Sequence, residues 1–264
     1  MAHYSKPEVD GLRLKKSLGQ HFLHDENVCR KITEQVSQTT GMHLLEVGPG
    51  GGALTKYLLK WPDVDYKAIE IDAEKVTFLN KTYPEIQGKI IMKDILQADA
   101  PFEGLFSVVG NFPYNISSPI MFKVLDWEPQ VVEVVGMFQK EVAQRIAAGP
   151  GSKTYGILSV LMQAFFKVEY LFDVNENCFT PPPKVMSGVL RFTNLHNPFI
   201  IKDKRKFIFL VKTAFNQRRK TLRNGLKSIL PADALAGEMM DKRAEQLSVA
   251  NFVELYKKFT ENRV

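Results

Sequence analysis

Between residues 42 and 140, short apolar runs recur every 20–25 positions, and most are followed by a stretch with helical spacing. HLLEV (43–47) leads into GPGGGALTKYLL (48–59), and YKAIEID (66–72) leads into a mixed segment ending near Tyr83. KIIMKD (89–94), LFSVVGN (105–111) and VVEVVGMF (131–138) continue the series. Short apolar runs without polar alternation are strands covered on both faces. Joined by helix-length segments, they predict βαβ units and a parallel sheet. AFFKVEYLF (164–172) and VMSGVLRF (185–192) read as two further strands. They flank FTPPPK (179–184), whose prolines exclude a helix and imply an extended, rigid loop.

The pattern changes after Asn197-Pro198. Phe207, Leu210, Val211, Ala214 and Phe215, then Leu222 and Leu226, repeat at helical spacing, with Lys212, Arg219, Arg223 and Lys227 near the other side. The tail from Asp241 to Arg263 reads as one or two more helices. The expected division is an α/β domain over residues 1–197 and a smaller all-helical domain over 198–264. At 264 residues and 45% hydrophobic, such a chain needs neither disulfide nor structural metal to fold. Its two cysteines, Cys29 and Cys178, lie far apart and form no metal-ligand spacing. That composition points to a reducing compartment and no metal. A polar N-terminus and the lack of an 18-residue apolar run add the expectation of a soluble, cytoplasmic protein without membrane contact.

Charge is concentrated. Residues 201–227 carry ten Lys or Arg against the single acid Asp203, a local net of +9 that leaves −3 on the rest of the chain. A basic block on a mildly acidic body suits a polyanion, although a solvated helix face has the same composition.

EVGPGGGA (46–53) follows a strand and opens a helix. Glycines there permit a sharp turn and close approach of a ligand to the backbone. Gly48, Gly50 and Ala53 satisfy GxGxxA, and Glu70 stands at the end of the next strand, where a carboxylate accepts from two ribose hydroxyls. The spacing alone does not separate a nicotinamide dinucleotide from S-adenosyl-L-methionine, since both carry an adenosine ribose. No Gly-Lys-Ser/Thr follows, so this is not a P-loop. Asp94, after the third strand, is placed either to accept from an adenine amino group or to cap a helix.

Asn111-Phe112-Pro113-Tyr114 directly follows the fourth strand. An exocyclic amine on a purine is a poor nucleophile because its lone pair is delocalised into the ring. Two acceptors for its N–H groups favour a more tetrahedral, reactive nitrogen. The Asn111 side chain supplies one and the Phe112 carbonyl the other, with Pro113 stiffening the loop and Tyr114 offering a ring face to the base. Asn and Pro are also ordinary turn residues. Placement at a strand's carboxyl end, in the same sheet as Gly48, Glu70 and Asp94, favours the chemical reading.

SLGQHFL (17–23), EVGPGGGALT (46–55), EID (70–72), NFPYNISSP (111–119), FTPPPKV (179–185) and AFNQRRKTLRN (214–224) together resemble the rRNA adenine N6,N6-dimethyltransferase family, in particular its bacterial small-subunit type. The resemblance runs in order from about Ser17 to the end of the chain. It implies a Rossmann-like class I S-adenosyl-L-methionine-dependent methyltransferase sheet with the smaller helical domain behind it in sequence. It implies cofactor contacts at His21, Leu23, Gly48, Glu70, Asp94 and Asn111, and catalytic roles for Asn111, Phe112 (main chain) and Tyr114. Phe179 would be a second stacking ring, and Arg218, Arg219, Lys220 and Arg223 would bind RNA. The implied substrate is a pair of adjacent adenosines in a hairpin near the 3′ end of small-subunit rRNA, met in an immature 30S particle by a monomer. Two positions depart from the family pattern: His21 replaces Asn, and Phe112 replaces Leu.

Other readings remain at this stage: an adenine methyltransferase acting on DNA or on large-subunit rRNA, a non-catalytic assembly factor on the same fold, and an NAD enzyme. Intact NFPY argues against the second, and no His or Lys constellation for hydride transfer supports the last.

Overall fold

The computed structural model describes residues 8–9, 12–13 and 21–261. They form two compact units: the described residues up to 143 with 169–194, and residues 144–168 with 195–261.

The first unit is organised by a seven-stranded sheet. Its strands are β1 (His43–Val47), β2 (Asp65–Glu70), β3 (Ile90–Met92), β4 (Phe106–Asn111), β5 (Val131–Gln139), β6 (Phe166–Val174) and β7 (Ser187–Asn194), in the order β3-β2-β1-β4-β5-β7-β6. β1 to β5 are parallel, as the apolar runs predicted. β7 departs from that pattern. It runs antiparallel to β5, with Leu190 opposite Gly136, and sits between β5 and β6. The chain returns from β6 through a short Pro-rich connection instead of a helical crossover, so a parallel pairing is out of reach. The sheet is therefore mixed.

β6 begins two residues later than the run 164–172 suggested, because Ala164 and Phe165 close the helix Ile157–Phe165. LSVLMQAFF is apolar on every side, and periodicity does not separate a buried helix from a buried strand there.

The sheet's switch in strand order falls at β1 and β4, whose carboxyl ends carry Gly48 and Asn111. Ligands of open α/β sheets bind at such a crevice. The loops there are closed locally by aspartates. Asp72 accepts from Glu74 N at 3.1 Å to cap the helix Ala73–Thr82. Asp94 accepts from Leu96 N at 2.9 Å to cap a single 3₁₀ turn, Ile95–Gln97. Two short strands, Phe22–Leu23 and Phe179–Thr180, pair antiparallel and join the N-terminal arm to the Pro-rich loop across more than 150 residues of sequence.

The second unit is helical, but it does not begin at residue 198. Residues 144–168 belong to it, because Leu161 and Phe165 of the helix Ile157–Phe165 are buried there, Phe165 meeting Phe207 edge-on at a ring separation of 6.4 Å. Phe207, Leu210, Val211, Ala214 and Phe215 form the buried face of the helix Lys204–Asn216, as their spacing required. Leu222 and Leu226 lie on a separate short helix, and Val249–Glu261 closes the unit. No helix among the described residues is long and apolar enough to cross a membrane.

Candidate active site

A cavity of about 240 Å³ opens at the carboxyl ends of β1, β2 and β4. Its wall contains His21, Leu23, Gly48, Glu70, Asp94, Asn111, Phe112 and Tyr114, which brings together all the residues expected to hold cofactor or base except Phe179.

Glu70, 5% exposed, is the most constrained acid in the wall. One carboxylate oxygen accepts from Gly50 N at 3.2 Å, and the other from Ile71 N and Asp72 N at 3.0 Å each. The glycine turn and the end of β2 thus hold one carboxylate from two sides, and the oxygen that meets Gly50 N keeps acceptor capacity for a ligand hydroxyl. Ile71 and Leu96 stay exposed at the rim, next to Glu70 and Asp94. Apolar side chains beside fixed acids suit a flat heteroaromatic ring attached to a diol.

Two wall residues escaped the sequence reading. Glu46 is buried, and one of its oxygens accepts from Tyr66 OH at 2.5 Å and Thr55 Oγ1 at 2.8 Å. Burial pushes its carboxyl up to about 7, against the two hydroxyl donors and with the charge of Glu70 adding to the rise. Lys75, 6% exposed, lines the cavity with its ammonium 5.3 Å from the Phe22 ring centroid. Glu46 stands within the glycine motif and was legible as a position but not as a buried acid. Lys75 sits in a segment of mixed character with no local signal.

Asn111 ends β4 opposite Met137 of β5, so its side chain leaves the sheet at the cavity. The Phe112 ring is fully buried and packs edge-on against Phe138 at 5.2 Å. Space for it comes from Gly110 and Gly136, where a Cβ would stand 2.7 and 2.4 Å from the ring. With the ring in the core, Phe112 faces the cavity through its main chain. Its N–H bonds Met137 O at 3.3 Å. Tyr114 is held at its hydroxyl by Ser187 Oγ of β7 at 2.6 Å, and burial raises its phenol, with Ser187 opposing the rise. The His21 ring stacks on Tyr114 at 5.5 Å with 29° between planes, while its Nδ1 meets Pro181 O at 2.7 Å. The N-terminal arm and the Pro-rich loop therefore both bear on Tyr114.

Phe179 is the exception and a correction. Its ring is 1% exposed in the hydrophobic core, beneath the strand pair with Phe22–Leu23, and no face is open to a base. Its neighbours in FTPPPK made it look like part of a rigid wall. Strand pairing turned the side chain inward.

In the second unit the four basic residues separate into two kinds. Arg223 bonds Asp241 at 3.1 and 2.8 Å and Leu235 O at 2.9 Å, so it ties down its own unit. Arg218 donates to Lys153 O at 2.5 Å and lies 3.9 Å from Glu245. Arg219 and Lys220 are exposed and have no ion-pair partner among the described residues.

A family model described as ribosomal RNA adenine dimethylase matches residues 11–261. The chain belongs to that family. Ribosomal RNA small subunit methyltransferase A of Parabacteroides distasonis is 51% identical to it over 245 residues, 91% of this chain and 92% of that one. The protein of the same description from Flavobacterium johnsoniae is 50% identical over 254 residues, 95% and 97% of the two chains. Among solved structures, a dimethyladenosine transferase from Plasmodium falciparum matches with a TM-score of 0.81 at 26% identity, covering 92% of this chain and 99% of that one. Membership makes this chain an S-adenosylmethionine-dependent rRNA adenine methyltransferase. The chemistry of the cavity wall suits that donor: a carboxylate fixed at Glu70, the acid Asp94 beside the exposed Ile71 and Leu96, and a glycine turn at Gly48–Gly50 all line it.

Proposed function

We propose that this chain dimethylates two adjacent adenosines at N6 in a hairpin near the 3′ end of small-subunit rRNA, acting as a cytoplasmic monomer on an immature 30S particle. The observation that carries the reading is the convergence of Asn111, the Phe112 main chain and Tyr114 on one cavity with Glu70 and Asp94. S-adenosylmethionine, when bound, supplies an electrophilic methyl group. The protein's part is to present the nitrogen. Asn111 Oδ1 and the Phe112 carbonyl accept the two N6 hydrogens, which draws the lone pair out of conjugation with the purine. Tyr114, fixed by Ser187 and His21, gives the extruded base a ring to stack on. The methylated nitrogen loses a proton readily once it is cationic, so no strong base is required of the protein. A second round needs only that the same two acceptors tolerate the monomethyl amine, which still offers one N–H.

A flipped adenine looks alike in any RNA, so the choice of substrate comes from contacts outside the cavity. Arg219 and Lys220, exposed and unpaired among the described residues, are suited to rRNA phosphates. The test is transfer of labelled methyl groups to three acceptors in parallel: small subunits lacking this modification, large subunits, and duplex DNA. Label confined to the small-subunit RNA supports the proposal. Label on either of the other acceptors instead overturns it.

A further inference from the structure

Arg218 belongs to the basic run, yet its guanidinium turns inward to the loop at residues 149–154. It donates to Lys153 O at 2.5 Å and faces Glu245 at 3.9 Å, and the Glu245 main chain in turn accepts from Gly151 N at 2.7 Å. The loop is further tied by its own side chains. Ser152 Oγ donates to Gly149 O and accepts from Tyr155 N, each at 3.1 Å. At its base, Gln163 bonds Ile146 O at 2.9 Å and Ala148 O at 2.8 Å. So exposed a segment, rich in glycine, would ordinarily be mobile, and here Gly149 O, Gly151 N, Ser152 Oγ and Lys153 O are all engaged in holding one conformation. What the loop presents at its outer side is Lys153, exposed and without an ion-pair partner among the described residues.

We infer that Arg218 is a positioning residue that clamps this loop, and that Lys153, aimed by the clamp, is an rRNA phosphate contact acting beside Arg219 and Lys220. The partner follows from the chemistry. Three unpaired cations near one clamp match a polyanionic backbone, and a cation held ready on a fixed loop loses less freedom on binding than one on a free chain. Part of the Arg218 charge is answered by Glu245 at 3.9 Å, which leaves it less to give to RNA. This inference deepens the small-subunit reading and rests on it.

The experiment measures binding to unmethylated 30S particles across a salt series for wild type, Lys153→Ala, Arg218→Ala and the double variant, with hydrogen exchange of the loop amides followed in parallel. Loss of one phosphate contact flattens the log–log salt slope by about 0.9, so Lys153→Ala should lose roughly 3.5-fold less affinity than wild type between about 50 and 200 mM salt. Arg218→Ala should speed exchange at residues 149–154 without shifting the global melting temperature, and Lys153→Ala should add little on top of it. A wild-type slope in Lys153→Ala, unchanged exchange in Arg218→Ala, or effects that multiply in the double variant would each overturn the inference and leave the substrate reading intact. Absence of salt-dependent 30S binding by the wild type would overturn both.

Discussion

Gly136→Ala tests how the core places the acceptor proposed at the Phe112 carbonyl. A methyl group at position 136 stands 2.4 Å from Phe112 Cε2 and 3.0 Å from both Phe112 Cδ2 and Phe138 Cε2. Retreat of the Phe112 ring is limited by Phe138, which lies edge-on at 5.2 Å. Overpacking of this kind costs about 1–3 kcal/mol, which for a protein of this size lowers the melting temperature by roughly 2–10 °C. Relief must come from displacing Phe112, and its carbonyl moves with it. A shift near 1 Å in a group that orients the reacting nitrogen costs on the order of a hundredfold in rate. The variant should therefore lose turnover on small subunits far more than its stability implies, while S-adenosylmethionine affinity by calorimetry stays near wild type because Glu70 and Asp94 are untouched. Adding Phe112→Leu removes the ring from the collision and should restore much of both stability and rate. Wild-type turnover in Gly136→Ala, or failure of the second change to rescue it, would refute the link from core packing to the acceptor.

Glu70→Ala should weaken S-adenosylmethionine by about 1–3 kcal/mol, read by titration calorimetry, since it removes a charged acceptor; unchanged affinity would place the ribose elsewhere. Glu46 predicts a pH dependence of stability. Its folded-state value of about 7 lies above the ordinary 4.5, so the neutral carboxyl is the favoured folded form. The resulting contribution is complete below about pH 4.5 and is lost as pH rises through about 7, a change on the order of 3 kcal/mol. Denaturant titrations at pH 5 and pH 8 should show Glu46→Gln losing much less of its stability than wild type over that interval.

The part of the site that was legible in the sequence is the part made by neighbours in sequence. Gly48–Gly50, Glu70, Asp94 and Asn111 each stand at a strand end, and strand ends of a parallel sheet gather at one edge whatever the distant loops do. Pairings between remote segments were not legible. Ser187 reaches Tyr114 across 73 positions and Pro181 reaches His21 across 160, and neither carries a local pattern. The same reason accounts for Phe179, whose burial depends on a strand pair with Phe22–Leu23, and for residues 144–168, whose place in the helical unit depends on Phe207. The basic run was legible as charge, but Asp241 and Glu245, which face Arg223 and Arg218, lie 18 and 27 residues further along the chain.

The most direct measurement of the central claim is nucleoside mass spectrometry of small-subunit rRNA after reaction with wild type and with Asn111→Ala. Asn111 is half-buried in the cavity wall and is not part of the buried core, so the variant should keep its melting temperature. The account predicts N6,N6-dimethyladenosine from the wild type at two adjacent positions, and at least about a hundredfold slower formation from the variant, the cost of one transition-state hydrogen bond. Dimethyladenosine formed by Asn111→Ala at the wild-type rate would contradict it.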